Sequence, residues 1–235
     1  MSDSNPRGWP LTLTRKMEDF PIANLPLGDW STAPGSKLEA MIADCRFPWD
    51  LLAINDAIVG ALAENQIDGE VHPSAVIEGH VKIGKRTRIL PGVFIEGNVV
   101  IGENCRIGPN CYIRGNTSIG NNCHIGQSVE IKNCVILDNT NVGHLSYVGD
   151  SILGEKVNFG AGTMVSNFRH DGGNHRSMVE GELVDTGRRK FGTIVGDGVH
   201  TGIGTLIYPG RKIWPGMSTR PGEVVAKDLR PEEKI

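Results

Sequence analysis

Isoleucine returns along this chain with a step of six: Ile83, Ile89, Ile95, Ile101, Ile107, Ile113, Ile119, Ile125 and Ile131. Neither a helix nor a flat strand has that period. A six-residue apolar repeat predicts a parallel β-helix, in which each hexad lays down one short face and three faces close a coil. The aliphatic ladder then points inward and polar turns lie outside. Glycine often follows the ladder residue, as at Gly84, Gly102, Gly108, Gly120 and Gly126. That corner position favours glycine through positive φ or close backbone packing.

Past Ile131 the ladder slips. Its next members read as Ile136, Val142, Val148, Leu153, Phe159 and Val165, and two of these steps are five residues long. It resumes at Val195, Thr201, Ile207, Ile213, Thr219 and Val225. Between these runs, residues 166–192 break the hexad rule and must leave the coil and return. This excursion mixes charges and ends in Arg188-Arg189-Lys190, a triplet suited either to phosphates or to a solvated loop face.

The solenoid is expected over 71–235, preceded by an irregular arm over 1–35 and a helical cap over 36–70. Ser36-Lys37-Leu38-Glu39 fits a capping box for a short helix ending near Cys45. Pro48 opens a second helix, from Trp49 to about Glu64. Its apolar set, Leu51, Leu52, Ile54, Ile58, Ala61 and Leu62, forms one buried face. The cap is expected to cover the open core of the first coil.

Composition narrows the function. The 235 residues carry a net charge of −3, so no strong field draws the chain to nucleic acid or anionic membranes. No apolar run approaches the roughly 18 residues of a membrane span. Five cysteines without a CxxC pair, and no signal-peptide pattern, favour the reducing cytoplasm. Cys105 and Cys123 should stack on adjacent coils.

Two charges stand where glycine is expected. Arg114 follows Ile113 and Lys132 follows Ile131, 18 residues apart, which is one coil of three hexads. The two cations should project from one edge, one above the other. Such a stack is costly unless an anion sits between them. Glu96, a coil earlier, offers the alternative of a plain Glu–Arg–Lys surface ladder. His144 lies two places past inward Val142, beside Tyr147 and the cation column, where a neutral imidazole can take a proton near pH 7.

Together, Lys132, His144-Leu145-Ser146-Tyr147-Val148-Gly149-Asp150, Val157-Asn158-Phe159-Gly160-Ala161-Gly162-Thr163 and Asn167 resemble the acetyltransferase domain of bifunctional UDP-N-acetylglucosamine pyrophosphorylase/glucosamine-1-phosphate acetyltransferases. The resemblance is closer to the archaeal-type sugar-1-phosphate nucleotidylyltransferase subgroup. Those proteins share Pro48-Trp49-Asp50-Leu51-Leu52, Asn167-Phe168-Arg169 and Gly187-Arg188-Arg189-Lys190. The resemblance covers about residues 47–228.

It implies a left-handed parallel β-helix, a homotrimer with sites between subunits, and acetyl transfer from acetyl-CoA to an amino-sugar 1-phosphate. His144 would be the general base. Arg114, Lys132, Tyr147 and Asn158 would hold the phosphorylated sugar. Ala161, Asn167, Arg176, Arg188, Arg189 and Lys190 would contact acetyl-CoA, and the transfer requires no metal.

The chain departs from that family twice. Nothing before residue 47 matches a nucleotidyltransferase domain, so that activity is expected only from a separate partner. The lysines that follow the Asn-x-Arg segment in the family are absent here, and Arg176 stands in their region. Two other readings remain. One is a non-catalytic β-helix subunit that binds a sugar nucleotide or a protein. The other is a zinc enzyme of the γ-carbonic-anhydrase type, suggested by the spacing of His170 and His175.

Overall fold

Hexads stack as the ladder predicts. A computed structural model describes residues 6–30 and 32–231; residues 1–5 of the expected arm, Ser31 and residues 232–235 lie outside them. The fold is a left-handed parallel β-helix with three flat faces. Among the described residues the faces carry six, eight and eight parallel strands. The first face turns Ile89, Ile107, Ile125, Val142 and Phe159 inward, and the second Ile95, Ile113, Ile131, Val148 and Val165. The third turns in Ile83, Ile101, Ile119, Ile136 and Leu153. All of these are buried. The resumed ladder is buried too, including Thr201 and Thr219.

Early coils hold 18 residues, as the register Ile95–Ile113–Ile131 shows. The next coils hold 17, as in Ile131–Val148 and Ile136–Leu153, and the last return to 18, as in Val195–Ile213 and Ile207–Val225. The missing residue comes out of the corner between the second and third faces. Asn133 and Asp150 stand at that shortened corner with φ of 48° and 51°. Asn and Asp tolerate this left-handed region better than most residues. Close packing, rather than positive φ, explains the glycines at the third-face corner. A Cβ on Gly84 would lie 2.7 Å from the backbone of Gly102, and one on Gly102 equally close to Gly120.

The helices do not cover the end of the first coil. α1 (Lys37–Ala43) and α2 (Asp50–Gly60) lie along the outside of the third face. Ser36 caps α1 by accepting from Glu39 N–H at 3.2 Å. The reciprocal bond of the capping box goes instead from Gly35 N–H to the Glu39 carboxylate. Asn55 of α2 donates to the Asn116 carbonyl at 2.9 Å, and Asn98 donates to the Leu62 carbonyl at 3.0 Å.

The expected irregular arm is also packed down. Leu11, Phe20, Ile22 and Leu27 are buried in a second core with Trp49, Leu51 and Ile54. Beneath them lie Val135, Ile152 and Ile194, the outward residues of the third face. That face carries apolar residues on both sides of its strands, so it must be covered. No described helix is long and apolar enough to cross a membrane.

The excursion is structured. Arg176–Val179 and Glu182–Asp185 pair as an antiparallel hairpin. Its base closes where Phe191 N–H donates to the Asn167 carbonyl at 2.9 Å. Phe191 and Val179 join the second core, and Phe191 meets Trp49 edge-on at 6.0 Å. Buried Lys212 donates to the Met178 carbonyl and ties the hairpin to the coil.

Candidate active site

The site grows from the second face and the short corner that follows it. Glu96, Arg114 and Lys132 stand in register on adjacent strands, as the 18-residue spacing predicts. Neighbouring strands place them about 4.8 Å apart at the backbone. Glu96 is not the carboxylate that eases the repulsion. Arg114 donates to Glu130 at 2.6 and 2.8 Å, and Glu96 accepts from the Tyr112 hydroxyl instead. Lys132 Nζ lies 3.0 Å from Asp150 Oδ2. Each cation therefore has its own carboxylate, and no shared anion is needed to make the column stable.

Asp150 is the hub. It is 2% exposed. It also accepts from Asn133 at 3.2 Å and from Asn167 at 2.6 Å. Asn167 uses the same amide nitrogen to reach the Tyr147 hydroxyl at 2.9 Å. Lys132, Asp150, Asn167 and Tyr147 thus form one connected network, and Arg114 adjoins it because Glu130 and Tyr147 are in register. Burial, then the charges of Asp150 and Glu130, push the Tyr147 phenol above its ordinary value, so it stays a neutral hydroxyl. Lys132 carries three N–H donors, more than Asp150 alone consumes.

Sequence reasoning gives Asp150 no role. The 17-residue coil hides it: Gly149 stands in register with Lys132, and Asp150 reaches back from the corner one place further on. Glu130 is missed for a different reason, since only side-chain direction decides whether Arg114 turns to Glu96 or to Glu130.

His144 lies on the preceding edge, between the first and second faces. It ends the strand Asn141–His144 and its ring is exposed. Its carbonyl is held by Gly162 N–H at 3.1 Å and by the Ser146 hydroxyl at 2.7 Å. Leu145 follows with φ of 49°, and its side chain is 60% exposed. A leucine held in that region marks a constrained turn. The turn leaves His144 at the end of a first-face strand and Tyr147 at the start of the next strand, on the second face. Ala161 lines a shallow apolar groove on the same edge with Leu145 and Ile203. Asn158 stands on the first face, in register with Asn141 and exposed. His124 is near enough to His144 to feel its charge. Burial, then Arg106, then His144 hold the His124 ring below its ordinary value.

The excursion does not present its basic residues together. Arg176 is exposed on the hairpin. Arg189 donates to the Gly172 carbonyl at 3.0 Å, and Lys190 is exposed. Arg188 turns the other way, into a cleft under the helices. His170 and His175 diverge as well. His170 is exposed, whereas His175 is buried with Nε2 3.2 Å from the Asn167 carbonyl. Among the described residues no group of three or more His, Cys, Asp or Glu is arranged to hold a metal. Cys105 and Cys123 stack on adjacent coils, with Cys123 N–H 3.4 Å from the Cys105 sulfur.

In one chain the predicted residues therefore form two groups. Lys132, Tyr147 and Asn167 meet, with Arg114 beside them. His144 and Ala161 share the next edge, and Asn158 the face beyond it.

Comparison with known proteins places this geometry in context. The chain is 41% identical over 182 residues to the bifunctional sugar-1-phosphate nucleotidylyltransferase/acetyltransferase of Sulfurisphaera tokodaii, covering 77% of this chain and 45% of that protein. It is 39% identical over 198 residues to the bifunctional protein GlmU of Methanococcus aeolicus, covering 83% and 48%. The chain spans about half the length of the curated relatives it matches. Among solved structures, the UDP-N-acetylglucosamine acyltransferase from Campylobacter jejuni is similar at 14% identity and a TM-score of 0.44, covering 72% of this chain and 69% of that one. The family described as GMPPB C-terminal domain matches residues 95–215. That stretch holds the cation column, the Asp150 hub and the His144 edge, and the chain belongs to this family.

Proposed function

We propose that this chain transfers an acetyl group from acetyl-CoA to the amine of an amino-sugar 1-phosphate, such as glucosamine 1-phosphate. The observation that carries this reading is the Lys132–Asp150–Asn167–Tyr147 network with Arg114 beside it. It sets two cations and a neutral hydroxyl on one outer face. The names of the bifunctional relatives support the same chemistry. Arg114 and Lys132 would take the phosphate, and Tyr147 and Asn158 the sugar hydroxyls. Ala161, Asn167, Arg176, Arg189 and Lys190 would contact acetyl-CoA.

The transfer is direct. His144 takes a proton from the neutral sugar amine as the amine nitrogen attacks the thioester carbonyl, and passes that proton to the departing sulfur. Backbone N–H groups at a corner stabilise the oxyanion. The C–N bond forms, the C–S bond breaks, and coenzyme A leaves as the thiol.

His144 and the Tyr147 network lie on different sides of one edge, which suits a site completed by a neighbouring chain. A cyclic homotrimer would supply it, with the excursion reaching toward a neighbour's coil. Light scattering at micromolar concentration tests this, and a monomer would contradict it. The five unpaired cysteines suit the reducing cytoplasm.

The deciding experiment mixes the purified chain with glucosamine 1-phosphate and acetyl-CoA and follows free thiol. Sugar-dependent thiol release is expected. Its absence with every amino-sugar phosphate tried would leave a binding subunit in place of an enzyme.

A further inference from the structure

A second polar site lies on the other side of the Asp150 corner. α1 and α2 do not close tightly on the third face. They leave a cleft of about 530 Å³ floored by Asn116, Asn133 and Arg188 and edged by Lys37 and Asp56. Its helical wall is apolar, formed by Leu38, Met41, Leu52, Ala53 and Ala57. Neither Arg114 nor Lys132 lines it.

Arg188 is the anomaly. Its Nε is buried without a hydrogen-bond partner. Burial lowers its affinity for the proton, and Asp150, Asp56 and Asp50 only partly restore it. Among the described residues none of those carboxylates comes within ion-pair distance of the guanidinium. Asp150 is engaged with Lys132, Asn133 and Asn167, and Asp56 accepts from Asn116 at 2.5 Å. Asp50 accepts the N–H groups of Arg46 and Phe47. A half-buried guanidinium whose Nε lacks a partner is costly, and an anion offering two oxygens satisfies it best. Lys37 adds a second cation at the rim, with its side chain free to reach inward.

We propose that this cleft binds a phosphorylated small molecule carrying an apolar group, with the phosphate on Arg188 and Lys37 and the apolar part against Met41, Leu52 and Ala53. Its volume falls in the range of small-molecule pockets. Asn133 lines the cleft and also holds Asp150, so the bound ligand and the Lys132 network share one corner.

Titration calorimetry with phenyl phosphate tests the proposal, since this probe is neither an amino sugar nor a thioester. An Arg114→Ala background removes one cation from the column. In it we expect saturable one-site binding, weakened at least about tenfold by Arg188→Met through loss of the charge-assisted pair. Ala57→Trp, which fills the cleft from its exposed helical wall, should weaken it as well. Inorganic phosphate should bind more weakly than phenyl phosphate. Without ligand, Arg188→Met should melt no lower than its parent, because a half-buried cation with an unpartnered Nε has been removed. Equal binding by Arg188→Met, or by Ala57→Trp, would overturn the site. Equal binding of inorganic phosphate would overturn the ligand class. A lower melting temperature for Arg188→Met would show that the protein already satisfies that charge.

Discussion

Lys132 Nζ sits 3.0 Å from Asp150 Oδ2, one coil further along, with the lysine side chain 13% exposed and the carboxylate 3%. This pair is the most deeply buried ion pair between described residues. It exists because the corner before the third face is one residue short. Removing one partner of such a pair strands the other in a poorly solvated place. Asp150→Ala should therefore lower the unfolding free energy by about 3–5 kcal/mol. Adding Lys132→Met should recover part of that loss. Chemical denaturation of the single and double variants measures both, and purely additive losses would show that the pair is not coupled.

His144 is exposed and lies at a turn held by backbone bonds. His144→Ala should fold with an unchanged melting temperature and lose acetyl transfer by about 10²-fold or more, the usual scale for a general base. Full turnover in that variant would remove His144 from the chemistry, and a large fall in melting temperature would assign it a structural role.

Arg114 and Glu130 are each about one-third exposed at the side chain, at 36% and 33%. Their pairing contributes little to stability in solvent, so Arg114→Ala should barely change the melting temperature. It should raise the Michaelis constant for the phosphosugar by about 10- to 150-fold, the equivalent of one charge-assisted contact. The constant for acetyl-CoA should move far less. Phosphosugar should also raise the melting temperature of the wild type, and Arg114→Ala should lose that shift. Equal protection of both proteins would place the anion elsewhere.

His175 gives the hairpin base a pH dependence. Burial is the main cause holding its ring below the ordinary value of 6.5. The folded state therefore prefers the neutral ring, while the unfolded chain takes up a proton near 6.5. Stability from this group is present above that pH and is lost as pH falls below it. His124 is depressed in the same way and adds to the slope. The melting temperature should fall between about pH 7 and pH 5, and His175→Phe should fall less steeply over that interval. Parallel profiles would exclude His175 as a source.

Much of this was legible in the sequence. Period six survives because every coil offers the ladder the same environment, so Ile83 through Ile131 announce the solenoid without any contact being known. The spacing of Arg114 and Lys132 likewise fixes their register, since one coil is three hexads. Even the covered third face left a trace, because Val99-Val100-Ile101 and Ile152-Leu153 are apolar on both sides of the strand. What the repeat cannot encode is which surface a non-repeating segment chooses. Only the folded chain put α1 and α2 along the third face, where Val135, Ile152 and Ile194 give their apolar side chains a surface to bury against. Only the fold split Arg188 from Arg189, because the bends at Gly187 and Arg189 send Arg188 into the cleft and Arg189 to the Gly172 carbonyl. And only the seventeen-residue coil made Asp150 the partner of Lys132. Sequence spacing sets which backbones are neighbours, while the corner geometry decides which side chains touch.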